Sequence, residues 1–528
     1  MTLLLGTVPA LAAILCLLLR RGPVVAAAMG LAAAVVLTAA GPFDLEVQPA
    51  GAIAYGGLVL EVLTILLFGM ILARLLQDAG AMDRIGAVIE QAAPSRVAGT
   101  ALVVFGVVPF AEAVTGFGIG VTVGVPILLS LGHPAARAAL LGLLGLVAVP
   151  WGALGPGTAV AASLAGLELD ALGVATGVVN IVPTLVAAVA VLWLCRSERD
   201  PVGGAVVLGS AVLLWAAILS ANILFGTPPA GIVGALVVIM VLLAVFRLRG
   251  RRITGDAVLA RSLVPYSVLT VGLLAARGLV RGGEHPLAQV LASPSTWLAI
   301  ACLMVPLALP RTTDRHTVRA ATRAWVPVGL STAGFMLMGW LMSVNGMSQV
   351  IGAGVAFAGT APGPFLSALG AVLTGSNTGA NAMFASTVLA LAETAEANPL
   401  VAVALANAAG SFAALAAPPR VAMAVGLAAA SPPSRSSSPH FGNEHAPSGN
   451  ERAESGQQGA DPGQQRAESG QQRAESGQQG AESGIPDLQA MTARTLVSAL
   501  GIVAISTALM AALGPAGLLD PAVGLLTD

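Results

Sequence analysis

The sequence predicts an all-α polytopic membrane protein, with about 12 transmembrane helices plus two re-entrant or broken hairpins in two inverted repeats. Three observations predict it. The 528 residues are 56% hydrophobic and only 10% charged, an apolar share beyond that of a soluble domain. Many stretches approach the ~20 apolar residues that a helix needs to span a bilayer. Two segments, Pro109–Leu128 and Leu369–Val388, look like copies of one another, each with Thr-Gly-x-x-x-Gly inside apolar sequence, at Thr115–Gly120 and Thr374–Gly379.

Apolar runs place full spans near 3–19, 23–41, 52–74, 138–162, 171–194, 204–222, 229–246, 260–280, 292–309, 325–344, 399–428 and 491–512. The first run, Thr2–Leu19, has no basic residue before it and no A-x-A-like site after it. It reads as a retained helix rather than a signal peptide. The two interrupted segments, about 97–131 and 363–391, are long for one helix. Each reads as a hairpin that enters and leaves on the same side. Glycine there frees backbone groups, which a bilayer tolerates only where they are buried in protein or line a wet cavity.

Arginine placement sets the orientation, because short cytoplasmic loops are enriched in basic residues. Arg20, Arg21, Arg74, Arg84, Arg96, Arg137, Arg196, Arg199, Arg247, Arg249, Arg251, Arg252, Arg311, Arg315 and Arg319 fall on one side. Asp44, Glu46, Glu168 and Asp170 fall on the other, with Arg281 as an exception. The first hairpin then enters from the cytoplasm and the second from outside, so the halves are inverted. Paired interruptions at corresponding positions of two membrane halves are the pointer to a transporter's substrate site. The repeat extends further: Gly152–Leu167 begins 37 residues after Thr115, and Gly410–Leu427 begins 36 after Thr374. Both are rich in Gly, Ala and Pro, which suits close helix packing or another unwound stretch.

These features divide the chain into a transporter core over 1–430, a linker over 431–487, and a final helix and tail over 488–528. The first repeat covers about 52–194 and the second about 325–430 plus 491–512. RAESGQQ recurs at 452–458, 466–472 and 473–479, and a segment so poor in large apolar residues is expected to be disordered. A net charge of −1 argues against nucleic acid as a partner. Cys16, Cys195 and Cys302 have no metal-type spacing and read as packing residues. No cofactor or metal is expected.

Ionisable groups inside a bilayer are costly and mark functional sites. The acids are Glu61 and Glu112, and the deep bases are Arg277 and Arg420. Glu112 sits three residues before the first Thr-Gly. A carboxylate there either carries a proton, since desolvation favours its neutral form, or bonds nearby backbone N–H groups structurally. Glu61 has the same two readings. Arg420 follows Pro418-Pro419 and either binds a substrate carboxylate bidentately or snorkels to the interface. Arg277 reads as snorkelling. Ser376, Asn377, Thr378 and Asn381 cluster in the second hairpin. They either coordinate an organic anion or an ion, aided by the half-helix N-termini, or cap the broken helix.

The two motifs resemble those of the L-lactate permease family, bacterial lactate/glycolate:proton symporters. The first is Phe110-Ala111-Glu112-Ala113-Val114-Thr115-Gly116-Phe117-Gly118. The second is Thr374-Gly375-Ser376-Asn377-Thr378-Gly379-Ala380-Asn381, followed by Ala406-Asn407-Ala408-Ala409-Gly410. The chain departs from the family pattern in four places. Asn377 replaces an acidic residue, Ala113 a glycine and Gly379-Ala380 a serine pair, and Arg420 stands where an uncharged polar residue is expected. The resemblance implies a proton-coupled symporter of L-lactate, D-lactate or glycolate in the bacterial plasma membrane. Its partners are a small organic anion, a proton and the bilayer. Thr115, Gly116, Phe117, Gly118, Thr374, Gly375, Ser376, Asn377, Thr378, Asn381 and Arg420 would bind substrate, and Glu112 and Glu61 would couple the proton. The alternatives are a carrier of dicarboxylates, a sodium-coupled carrier, or an integral-membrane enzyme on lipid-linked substrates. The enzyme would need clustered carboxylates or histidines, whereas His133, His285, His316, His440 and His445 are scattered.

Overall fold

The computed structural model describes residues 2–45, 47–116, 118–251, 257–280, 290–309, 315–430, 462–515 and 517–527, with backbone alone over 462–486. The expectations for Glu46, Phe117, Arg252, Arg281, Arg311, the Arg277 side chain and the linker up to 461 lie outside that description. The rest of the linker falls on backbone of the helix Pro462–Leu513.

Helices and their connecting turns make up the described residues, with no strand among them. Among the described residues, nine helical stretches are long and apolar enough to cross a membrane, and there are shorter apolar helices such as Thr2–Leu18, Pro23–Ala39 and Pro294–Ala308. This is a multi-pass α-helical membrane protein. The helix starts are written in the sequence. Proline occupies the first turn of the helices beginning at Pro23, Pro49, Pro156, Pro201, Pro294, Pro362 and Pro399, where a missing N–H costs nothing. Ser95, Asp200 and Asn398 cap the next helices with side-chain oxygens, as short polar side chains do best.

Two expected full spans are interrupted. Around 138–162, a helix over Ala135–Leu144 gives way to an irregular Gly145–Leu154 and restarts at Pro156–Leu164. Within the irregular stretch Gly152 is extended and Ala153 has φ 49°. Around 399–428, Pro399–Ala413 ends in a single tight turn, Ala417 is extended, and Pro418–Ala430 follows. Pro156 and Pro418 enforce both restarts, because the residue before proline is pushed out of the helical region. Three short helices, Ala81–Ala92, Met347–Val355 and Asp520–Thr527, were not expected from the sequence.

Both interrupted segments are hairpins. The first has arms Arg96–Thr115 and Ile119–Ser130. Its first arm contains a π turn at Val103–Val107, just before Pro109, which cannot donate to the ladder. The second hairpin has arms Pro362–Thr374 and Asn377–Thr394. The ends of the first hairpin meet where Arg96 donates to the carbonyl of Leu131 at 2.9 Å. At the same face Arg96 and Arg137 reach Glu198 at 2.9 and 3.4 Å, Arg251 donates to Pro94, and Thr317 to Asp78. The helix Arg315–Val344 then carries the chain away from this arginine-bearing face. The second hairpin therefore starts at the opposite face.

The halves cross-pair. The return arm of the first hairpin packs against Pro418–Ala430, and the return arm of the second against Pro156–Leu164. Each hairpin thus seats on the helix that restarts after the break in the other half. The helix Arg315–Val344 closes on the second hairpin at Gly339, where a methyl group would collide with the carbonyl of Ala382.

Candidate functional site

The two Thr-Gly turns open alike and then diverge, Gly116 being at ψ −166° and Gly375 at ψ 15°. Thr115 and Thr374 end their arms, and their hydroxyls donate back to Ala111 and Gly370 at 2.5 and 2.7 Å. Gly116 and Gly375 follow at φ 72° and 71°, a region closed to most side chains. Gly118 lies at φ 81° and starts the return arm of the first hairpin. Close packing adds to the need for glycine at Gly116, where a Cβ would lie 2.7 Å from that of Ala153 in the broken segment.

Glu112 sits one turn before this break and is buried. Its carboxylate accepts from the N–H of Gly118 at 3.0 and 3.1 Å and of Gly120 at 3.3 Å. It therefore caps the return arm, at the end where the helix dipole favours negative charge. Arg420 comes from the other half of the chain. Its Nη1 lies 3.8 Å from Glu112 Oε1 and its Nε donates to the carbonyl of Gly375 at 3.2 Å. One buried guanidinium thus joins the two helix breaks. Nη1 makes no hydrogen bond among the described residues. The fork keeps donors free for a second acceptor, and bidentate pairing with a carboxylate suits its geometry. Snorkelling is excluded for Arg420, since its side chain is 8% exposed.

The second hairpin anchors to the first half through amides. Ser376 caps the return arm by accepting from Gly379 N at 3.3 Å. Asn377 and Asn381 both donate to Asn407 Oδ1, at 3.0 and 2.8 Å. Asn381 also donates to the carbonyl of Gly157 at 2.9 Å. Asn407 in turn donates to the hydroxyls of Thr158 and Thr176, at 3.1 Å each. Thr158 closes on the carbonyl of Pro150 in the broken segment at 2.8 Å. Gly157 has to be glycine, because a Cβ there would sit 2.6 Å from Asn377 Nδ2. Thr378 is buried in the same turn of the return arm.

The structure therefore brings together Glu112, Thr115, Gly116, Gly118, Thr374, Gly375, Ser376, Asn377, Thr378, Asn381 and Arg420. It leaves Glu61 apart. That carboxylate accepts from Ser293 Oγ at 2.7 Å and Ser295 Oγ at 3.1 Å, capping the helix Pro294–Ala308. Glu61 is also eight residues along its helix from Gly69, which packs on Thr115, or about 12 Å at the helical rise. Asn407, Thr158 and Thr176 were not predicted as site residues. Asn407 was visible only inside the Ala-Asn-Ala-Ala-Gly motif and Thr158 only inside the Gly-Pro-Gly-Thr of the break, and Thr176 gave no signal.

The residues of the second break carry a family signature. Residues 285–431 match the model of the L-lactate permease family. The L-lactate permease match takes in the second hairpin, Asn407 and Arg420. The first hairpin lies outside the matched residues, and its likeness to L-lactate permeases rests on its own motif. No curated protein matches the chain.

Proposed function

We propose that the protein is a secondary transporter that carries small hydroxymonocarboxylates, L-lactate, D-lactate or glycolate, together with protons across the bacterial plasma membrane. The observation that carries this reading is the buried guanidinium of Arg420, held between two glycine breaks with Nη1 unbonded beside Glu112. Substrate carboxylate would pair with Arg420 between the N-termini of the two return arms, where N–H groups and helix dipoles favour an anion. Glu112 would then lose its cation to the substrate and accept the co-transported proton. The family match over 285–431 supports transport of a lactate-type anion.

The cross-pairing of each hairpin with the restarted helix of the other half supports an inverted repeat. Rocking one bundle against the other would expose a site at the repeat interface to each side in turn. Uptake of labelled lactate, glycolate and malate into proteoliposomes, with and without an imposed pH gradient, tests the reading. Gradient-driven accumulation of lactate is the expected result. Malate carried in preference to lactate would reassign the extra cation to a second carboxylate. A sodium requirement without a pH effect would replace the proton. Cysteine at Ser376 should be protected from a small polar thiol reagent by the transported anion.

A further inference from the structure

We propose that a cavity of about 540 Å³ at the arginine-bearing face is the vestibule through which the carboxylate reaches Arg420, and that Met423 is the plug in its floor. This inference rests on the transport reading above. The cavity lies between the end of the helix Pro49–Asp78, the return arm of the first hairpin, the start of Arg315–Val344 and the end of Pro418–Ala430. Its size falls in the ~300–1,000 Å³ range of small-molecule sites. Arg74 and Gln77 stand on one wall, Thr122 and Pro126 on another, and Ala324 on a third. The alanine leaves the passage open. Arg74, half-exposed and paired with Asp78 at 3.4 Å, places a cation at the rim.

The return arm runs down the wall from Pro126 to Ile119, seven residues, or about 10 Å at the helical rise. Ile119 adjoins Gly118. A methyl group built on Gly118 would lie 3.0 Å from Met423 Cε and 3.9 Å from Arg420 Cγ. Met423 therefore fills the space between the first break and the helix that bears Arg420, one turn past it. Methionine is unbranched and adaptable, so this contact can part without moving backbone. Among the described residues, Met423 is then the flexible side chain that stands between an anion in the vestibule and Nη1 of Arg420.

The test uses thiol labelling in a chain whose three cysteines are replaced by serine. Thr122→Cys marks the wall, and Ser197→Cys marks the exposed turn at the arginine-bearing face. In oriented proteoliposomes, an impermeant reagent should label Thr122→Cys from the same side as Ser197→Cys. Absence of labelling, or labelling from the opposite side alone, overturns the vestibule. Ser376→Cys lies beyond the plug. Adding Met423→Ala should speed its labelling from that side at least threefold, while Met423→Leu leaves the rate unchanged. Equal rates in monodisperse Met423→Ala and Met423→Leu proteins overturn the plug. These readouts need no uptake of lactate, so a failure of the lactate reading is seen separately.

Discussion

Arg420 Nη1 lies 3.8 Å from Glu112 Oε1, both side chains being almost fully buried. The acid belongs to the first hairpin and the base to the last restarted helix of the second half, so the charge of each break is balanced by the other half of the chain. Removing one partner of a buried pair leaves an uncompensated charge in low dielectric and costs about 3–5 kcal/mol. Arg420→Gln and Glu112→Gln should each lower the thermal stability of the purified protein. The double variant should recover most of the loss. Additive losses in the double variant would show that the pair is not coupled.

Glu112→Gln should impair pH-gradient-driven accumulation at least tenfold while sparing substrate exchange. Glutamine keeps the volume and still accepts from Gly118 or Gly120, but it takes up no proton. Exchange of labelled against unlabelled lactate needs no net proton movement. Gradient-driven uptake equal to wild type would remove Glu112 from coupling.

Asn407→Ala should destabilise the protein and abolish uptake. The amide accepts from Asn377 and Asn381 and donates to Thr158 and Thr176. Each buried group left unpaired costs about 1–3 kcal/mol. A melting temperature within one degree of wild type would contradict the anchor.

Acid should weaken the protein through His133. It is buried in the turn after the first hairpin, with Nε2 2.7 Å from Thr100 Oγ1 and Nδ1 without a hydrogen bond among the described residues. Burial first, then Arg96 and Arg137, hold its pKa down at about 4 from 6.5, against a smaller opposing pull from Glu198. The unfolded chain therefore binds the proton first. Stability is full above about pH 6.5 and falls as pH drops toward 4, by about 3 kcal/mol for a shift of this size. His133→Asn should flatten that part of the stability curve. An unchanged slope between pH 6.5 and 4.5 would assign the effect to other groups.

The sequence by itself determined the class, the two hairpins and the acid at the first break. Hydropathy over ~20 residues is enough to mark a span, and Thr-Gly repeated in two apolar segments marks backbone that only glycine tolerates. A first-turn proline or a short polar cap also marks the starts of eight of the helices. The spans at 138–162 and 399–428 looked continuous, because their composition is apolar throughout and hydropathy does not register a break. Arg420 was ambiguous for a related reason: its distance from a helix end suits snorkelling, and the Glu112 partner that settles its position is more than 300 residues away. Glu61 was the more ambiguous of the two acids, with no motif beside it, and folding sets it against Ser293 and Ser295. Only the tertiary structure decided that each hairpin seats on the other half's restarted helix. It also decided that Asn407, Thr158 and Thr176 belong to the site, since amide and hydroxyl pairings reach across the chain and leave no periodicity in it.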